Sequence, residues 1–350
     1  FTARPEFHAH WDDREHLHQM PITPLVRADS VTMIELLCRD RHIPPATIEK
    51  IADRTDGLPL FIEDLTRDVL EGAAAQQADN VPAMRGHAPF SIPATLNDSL
   101  MSRLDRLGTA KAIAQVGAVI GREFSYELLA SVADQTGERL REELHRLVEA
   151  GLLIGHRSTA ILTYTFKHAL VRDAAYSSLL RGAQVALHGR IARVLIDEFP
   201  ETAEAHPEII AYHFQTANET SLAVDYLVNA AKLSAKRSGF VEAIAQLDNA
   251  LQLLAAQPRT RARIRQELGI YRTLGGVNAE HRGFSSAECG RAYTTALDLC
   301  RELGDAPEIF SVLSGLGSYE ITRAGFAKCR ELAQECLLRG EEQAAKPAIV

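Results

Sequence analysis

The chain has 350 residues, 46% hydrophobic and 24% charged, a globular balance with room for two or three domains and their cores. Its formal charge of −8 argues against a surface that tracks nucleic-acid phosphates, which takes a surplus of Lys and Arg. Five cysteines without a C-x-x-C pair indicate neither a disulfide framework nor a zinc knuckle and read as reduced, buried thiols of a cytoplasmic protein. No run reaches the roughly 18 apolar residues of a membrane span, and no signal segment opens the chain.

Phe1–Phe7, FTARPEF, reads as the end of a strand stopped by Pro5, which removes a ladder donor and holds Arg4 extended. A chain that starts inside a strand is expected to be a piece of a longer protein. His8, His10, His16 and His18 form two H-x-H pairs without ligand spacing, so a solvated loop is preferred to a zinc or nickel site. Ser30 is expected to N-cap a helix through Asp40, and Pro45 to open a second that ends near Arg54. In Gly57-Leu58-Pro59-Leu60, Gly57 suits the left-handed residue after a helix and Pro59 the first turn of the next. From Gly72 to Ser91 composition shifts to Ala, Gln, Gly, Pro and Asn, a first domain boundary.

Helices are predicted over Thr95–Leu107, Thr109–Ile120, Ser125–Asp134 and Gly137–Glu149, followed by short strands Leu152–His156 and Ile161–Thr165. Helices followed by a two-stranded ribbon make a winged-helix-like domain the expected fold. The helix before the ribbon carries Arg139, Arg141 and Arg146, more than cancelled by Glu138, Glu142, Glu143 and Glu149, so protein packing is preferred to DNA binding. Tyr164–Leu180, YTFKHALVRDAAYSSLL, then runs from strand into a helix with Val171, Ala175 and Leu179 on one face.

Beyond Leu180 the pattern is amphipathic helix throughout. Gly-Phe recurs at Gly239-Phe240, Gly283-Phe284 and Gly325-Phe326, spacings of 44 and 42 residues. These suit helix-pair repeats longer than the tetratricopeptide norm of about 34. Each is followed by a small residue before leucine, Ala250-Leu251, Ala296-Leu297 and Cys336-Leu337, with the offset slipping by two in the middle copy. Small residues let paired helices approach closely. Cys329 and Cys336 are expected on the buried face, and the array is expected to be still in progress at Val350. Catalysis inside these residues has little support: Ser177 and Ser178 lack an elbow motif and the histidines are scattered.

Several long words resemble a known family. Thr55–Leu65, Ile92–Leu107 (IPATLNDSLMSRLDRL), Gly117–Leu129 (GAVIGREFSYELL), Thr165–Leu180 and Leu187–Leu195, with a likeness extending through Arg291–Asp305, resemble bacterial AAA/STAND ATPase-type regulators often fused to class III adenylate/guanylate cyclases. The resemblance implies a mainly α chain: the end of an ATPase module with its helical subdomain at 1–75, a linker at 76–91, a winged-helix-like α+β domain at 92–182 and a tetratricopeptide-like α-solenoid at 183–350.

By the same resemblance Arg4 is the sensor arginine that approaches the terminal phosphate of ATP, and Pro59 packs on adenine. His168 holds the winged-helix-like domain against the phosphates of ADP. Lys167-His168-Ala169 lacks the family's aspartate, although Asp173 lies a turn further on. The chain contains no G-x-x-x-x-G-K-[ST], no acid pair ending a core strand before Phe1 and no cyclase site. ATP or ADP with Mg is therefore expected in the longer parent protein, an ATPase that the resemblance also links to a cyclase in the same polypeptide. This stretch alone is expected to be catalytically silent and to hold nucleotide poorly, with no metal site of its own. The partner expected on the helical repeat is a protein. The competing functions are a DNA-reading transcription regulator and a plain scaffold.

Overall fold

A computed structural model describes residues 20, 22–38, 43–78, 96–133, 135–157, 162–304 and 306–344. Among them the chain is mainly α: seventeen helices and one three-stranded sheet, divided into two compact units, Phe1–Gly108 and Thr109–Val350.

The first unit contains α1 (Arg27–Cys38), α2 (Pro45–Thr55), α3 (Pro59–Ala78) and α4 (Leu96–Arg106). Ile34, Ile51, Ile62 and Leu65 are fully buried at the centre of α1–α3. Ser30 does not cap α1 as expected. The helix begins three residues earlier, and the buried Ser30 hydroxyl donates to the Val26 carbonyl at 3.2 Å, which satisfies it inside the helix. Pro45 and Pro59 do open α2 and α3. Between them the backbone turns left-handed at Asp56 (φ 47°) and Gly57 (φ 70°). A Cβ on Gly57 would stand 2.1 Å from the Leu25 carbonyl oxygen, so only glycine lets the Leu25 N–H reach the Gly57 carbonyl at 2.8 Å. Helix α3 continues through Ala78, into the Gly72–Ser91 stretch whose composition marks a boundary; residues 79–95 lie outside the described set. A buried ion pair between Asp64 and Arg103 ties α3 to α4.

The second unit opens with α5 (Thr109–Ile120), β1 (Glu123–Ser125), α6 (Tyr126–Ala133), α7 (Glu138–Glu149), β2 (Leu153–Arg157), β3 (Leu162–Phe166) and α8 (Ala169–Ser177). The expected two-stranded ribbon carries a third strand. β1 pairs antiparallel with β3, Phe124 opposite Tyr164, giving the order β1-β3-β2. The Phe124 ring packs against Tyr164 and Phe166 and reaches so close to Gly117 of α5 that a Cβ there would stand 2.7 Å from it.

A stack of antiparallel helices follows, an α-solenoid: α9 (Arg181–Glu198), α10 (Pro200–Ala205), α11 (Pro207–Thr216), α12 (Thr220–Lys236), α13 (Phe240–Ala255), α14 (Arg261–Arg282), α15 (Ala287–Leu303), α16 (Ile309–Thr322) and α17 (Phe326–Ala344). Three of its turns share one geometry. Asn218, Ser238 and Ala324 are left-handed (φ 60–62°), and the N–H of the next residue donates to the carbonyl five back at 2.8–2.9 Å. Gly239 and Gly325 are thus the residues after the left-handed one, whereas Gly283 is itself at positive φ (88°). A Cβ on Gly239 would press the Ser234 carbonyl oxygen at 3.2 Å.

In the middle copy Gly283-Phe284 is followed by two serines, and Ser286 caps α15, whose first residue is Ala287. The helix therefore starts three residues later after the Gly than in the other copies, in the direction of the slipped offset. Tyr293 of α15 seats its ring against Gly275 of α14 and Gly315 of α16, where added Cβ atoms would stand 2.7 and 2.4 Å away. Cys38, Cys289 and Cys300 are buried, and Cys336 is half-buried against the core as expected; Cys329 is half-buried and outside that cluster, the fully inward position on α17 going to Leu332, while Leu337 is 67% exposed. Among the described residues no helix is long and apolar enough to cross a membrane.

Helix α9 belongs to two packings at once. Ile191, Ala192 and Leu195 share one buried cluster with Val119 of α5 and Val132 of α6 on one side and with Ile210 and Phe214 of α11 on the other. Ser131 of α6 also donates to Glu198 of α9 at 2.6 Å.

Candidate functional site

The residues singled out from the sequence belong to different parts of the chain. Arg4, with the strand expected at Phe1–Phe7 and the four histidines after it, lies outside the described residues. Pro59 is the first residue of α3 in the first unit, where its lack of an N–H costs nothing. It is exposed, and neighbouring Leu58 is 47% exposed, so the Gly57–Leu60 turn presents an apolar surface held by the Leu25–Gly57 hydrogen bond.

His168 belongs to the second unit, between β3 and α8. The Phe166 N–H donates to the Arg122 carbonyl and the Lys167 N–H to the Leu152 carbonyl, fixing the approach. His168 itself is extended (φ −135°, ψ 145°) and occupies the N-cap position, yet its side chain makes no capping hydrogen bond. The ring is half-buried, and its Nε2 is sealed from solvent without a hydrogen-bond partner among the described residues. A buried ring nitrogen left unpaired costs about 1–3 kcal/mol, and among the described residues no side chain caps the first turn of α8, where the Val171 N–H turns back to the His168 carbonyl at 3.1 Å. An anionic acceptor at this helix start would satisfy both and would meet the positive end of the helix dipole. Asp173 does not supply it: it is exposed, and its Oδ1 accepts from Arg172 of the same helix at 2.5 and 3.0 Å.

Two of the three arginines of α7 are engaged within the fold, while Arg139 is exposed. Arg141 lies over the Tyr126 ring at 5.6 Å, and Arg146 pairs with the buried Glu143 at 2.9 Å while Glu143 also accepts from the Thr109 hydroxyl at the start of α5.

Two of the scattered histidines meet. His188 of α9 and His213 of α11 are 0% and 1% exposed, with their Nδ1 atoms 2.8 Å apart, and the Tyr176 hydroxyl of α8 stands 3.2 Å from His188 Nε2. Tyr212 packs edge-on against both rings. One Nδ1 must carry the proton and the other accept it, so the chain runs in one of two directions. Either Tyr176 donates to His188 and His188 to His213, or the reverse. Burial pushes both imidazoles down, His188 to about 4 and His213, which also faces His188, to about 3. Two neutral rings buried this way are a structural joint rather than an acid–base pair for neutral pH. A sequence signal existed: His188, Ile191 and Leu195, like Ile210, His213 and Phe214, fall at helical spacing on one apolar stripe.

No family model matches the chain. An uncharacterized protein of Rhizobium meliloti (strain 1021) is 26% identical over 305 residues, which cover 86% of this chain and 29% of the relative. The chain thus spans less than a third of that relative's length. A solved structure from Pyrococcus horikoshii, described as a signal transduction ATPase with numerous domains and a tetratricopeptide repeat sensor, aligns over 92% of this chain and 55% of its own, with 13% identity and a TM-score of 0.34.

Proposed function

We propose that the chain is the sensing and coupling part of a signal-transduction ATPase of the STAND type, in which nucleotide state in a longer polypeptide is passed through a winged-helix-like domain to a partner-binding, tetratricopeptide-like stack. The observation that carries this reading is His168. A sealed Nε2 without a hydrogen-bond partner among the described residues, at a helix start that its side chain does not cap, fits a residue that meets a phosphate. The exposed Leu58-Pro59 turn supplies an apolar surface of the kind that packs on a purine, and Arg4 supplies a permanent planar cation for the terminal phosphate. When bound, ATP or ADP with Mg supplies the charge that the imidazole and guanidinium recognise. The residues of this chain position and read it, and its hydrolysis belongs to groups outside them. A cyclase output in the same polypeptide and a cytoplasmic setting are part of the same proposal.

The shared cluster on α9 supports the coupling step, because the sheet domain and the first solenoid helices pack through one core and move together. With Arg141 and Arg146 engaged inside the fold, the DNA-reading alternative keeps one of the three arginines of α7, Arg139. The test is ADP retention by the parent protein carrying His168→Ala. Losing one hydrogen bond to a charged group, about 1.5–3 kcal/mol, should weaken ADP about tenfold to a hundredfold. Unchanged retention together with unchanged signalling activity would sink the assignment.

A further inference from the structure

The second unit carries an elongated groove whose lining does not include His168. It follows α12, with α9 and α10 on one flank and α14 on the other. Two hollows of about 460 and 540 Å³ adjoin along it and share Asn229 and Lys232. The lining runs from Ser221 to Lys236. At 1.5 Å per helical residue that is about 22 Å, the reach of six or seven residues of extended chain. A small metabolite would fill one hollow, whereas a polypeptide segment spans both.

The chemistry along the groove is uneven. Ile196, Pro200, Tyr226 and Leu233 give the first hollow an apolar floor, with Lys232 and Lys236 exposed beside it. Neither lysine has an ion-pair partner among the described residues. Arg265 lines the second hollow. The groove's two acids are Glu204 and Asp225, and Asp225 accepts from the Gln266 amide at 2.9 Å, an amide that also donates to the Ser221 carbonyl and hydroxyl at 3.0 Å. The shared middle of the groove is thus cationic in a chain of net charge −8. The exposed amide of Asn229 between the hollows offers both a donor and an acceptor.

We propose that this groove docks an extended acidic polypeptide segment, an apolar side chain seated on Tyr226 and Leu233, its carboxylates on Lys232 and Lys236, and its backbone read by Asn229. This deepens the partner-binding reading of the stack and rests on it. Nucleic acid shares the negative charge, but the apolar floor and Glu204 favour a peptide.

Fluorescence anisotropy at low salt with the whole chain tests it. The probes are a dye-labelled octapeptide of alternating glutamate and leucine, its glutamine and lysine counterparts, and a single-stranded oligonucleotide of equal length. The glutamate peptide should bind best, and Lys232→Glu with Lys236→Glu should weaken it about tenfold. Lys328→Glu on α17 should leave it unchanged, and both sites are exposed, so folding is preserved. Absence of binding by the glutamate peptide, equal binding of the glutamine or lysine peptide, or preference for the oligonucleotide would overturn the proposal. ADP retention in His168→Ala is read separately, so a failed groove leaves the nucleotide assignment standing and a failed nucleotide assignment leaves the groove to be judged on these peptides.

Discussion

Helices α14, α15 and α16 close on one another through a ring seated on bare backbone, whereas α8, α9 and α11 close through hydrogen-bonded rings. In the first region Tyr293 lies against Gly275 and Gly315, and what holds the helices in register is volume. In the second, Tyr176, His188 and His213 are held by where two protons sit. The difference teaches that steric fit tolerates a change of pH but not an added methyl, and that a buried polar chain tolerates neither the loss of one member nor a second proton.

Each half of that contrast can be broken. Tyr293→Ala removes a nearly buried aromatic and should cost about 3–5 kcal/mol, read as a lowered urea midpoint. Gly315→Ala drives a Cβ into the same ring and should cost about 1–3 kcal/mol. Much of that cost should vanish in the Tyr293→Leu background, because the two residues meet; simple additivity would show that they do not. At the polar joint, His213→Leu leaves His188 Nδ1 buried and unpaired and should cost about 1–3 kcal/mol. His188→Leu with His213→Leu should cost less than the sum of the singles.

The pH dependence sharpens the contrast further. Unfolded histidine takes up its proton near pH 6.5, whereas burial delays this to about 4 for His188 and about 3 for His213. Stability from the neutral pair is therefore complete above pH 6.5 and lost as pH falls toward 4 and then 3, at up to about 1.4 kcal/mol per pH unit for each ring. The double leucine variant should flatten that part of the profile relative to the native chain, and Gly315→Ala should only shift it. Smallest is Ala324→Gly. Relieving a left-handed alanine (φ 60°) should raise stability by up to about 1 kcal/mol, and a loss would mean that glycine's added freedom in the unfolded chain outweighs the relief.

Much of the fold is legible wherever local pattern and tertiary need agree. Thr109–Ile120 is the helix its apolar spacing predicts, and Pro45 and Pro59 mark helix starts because a missing N–H is harmless there. Ser30 misleads because a serine hydroxyl satisfies a helix interior as well as a cap. β1 escapes notice because three residues are too few to show alternation, and its strand character comes from pairing with Thr163–Thr165, about forty residues away. Of the site residues, the turn around Pro59 and the junction at His168 are readable from local words. The pairing of His188 with His213 is not, since it depends on how α9 meets α11. The groove is hidden for the same reason: Lys232 looks like any solvated helical lysine until α14 and α10 supply its walls.

The double membership of α9 sets where such a gene can be recombined. A splice at the end of α8 would strand Val119 and Val132 on one product and Ile191 and Leu195 on the other, each with half an interface facing water. The sheet and the opening helices of the stack are therefore inherited as a single cassette, because neither buries its share of that core alone.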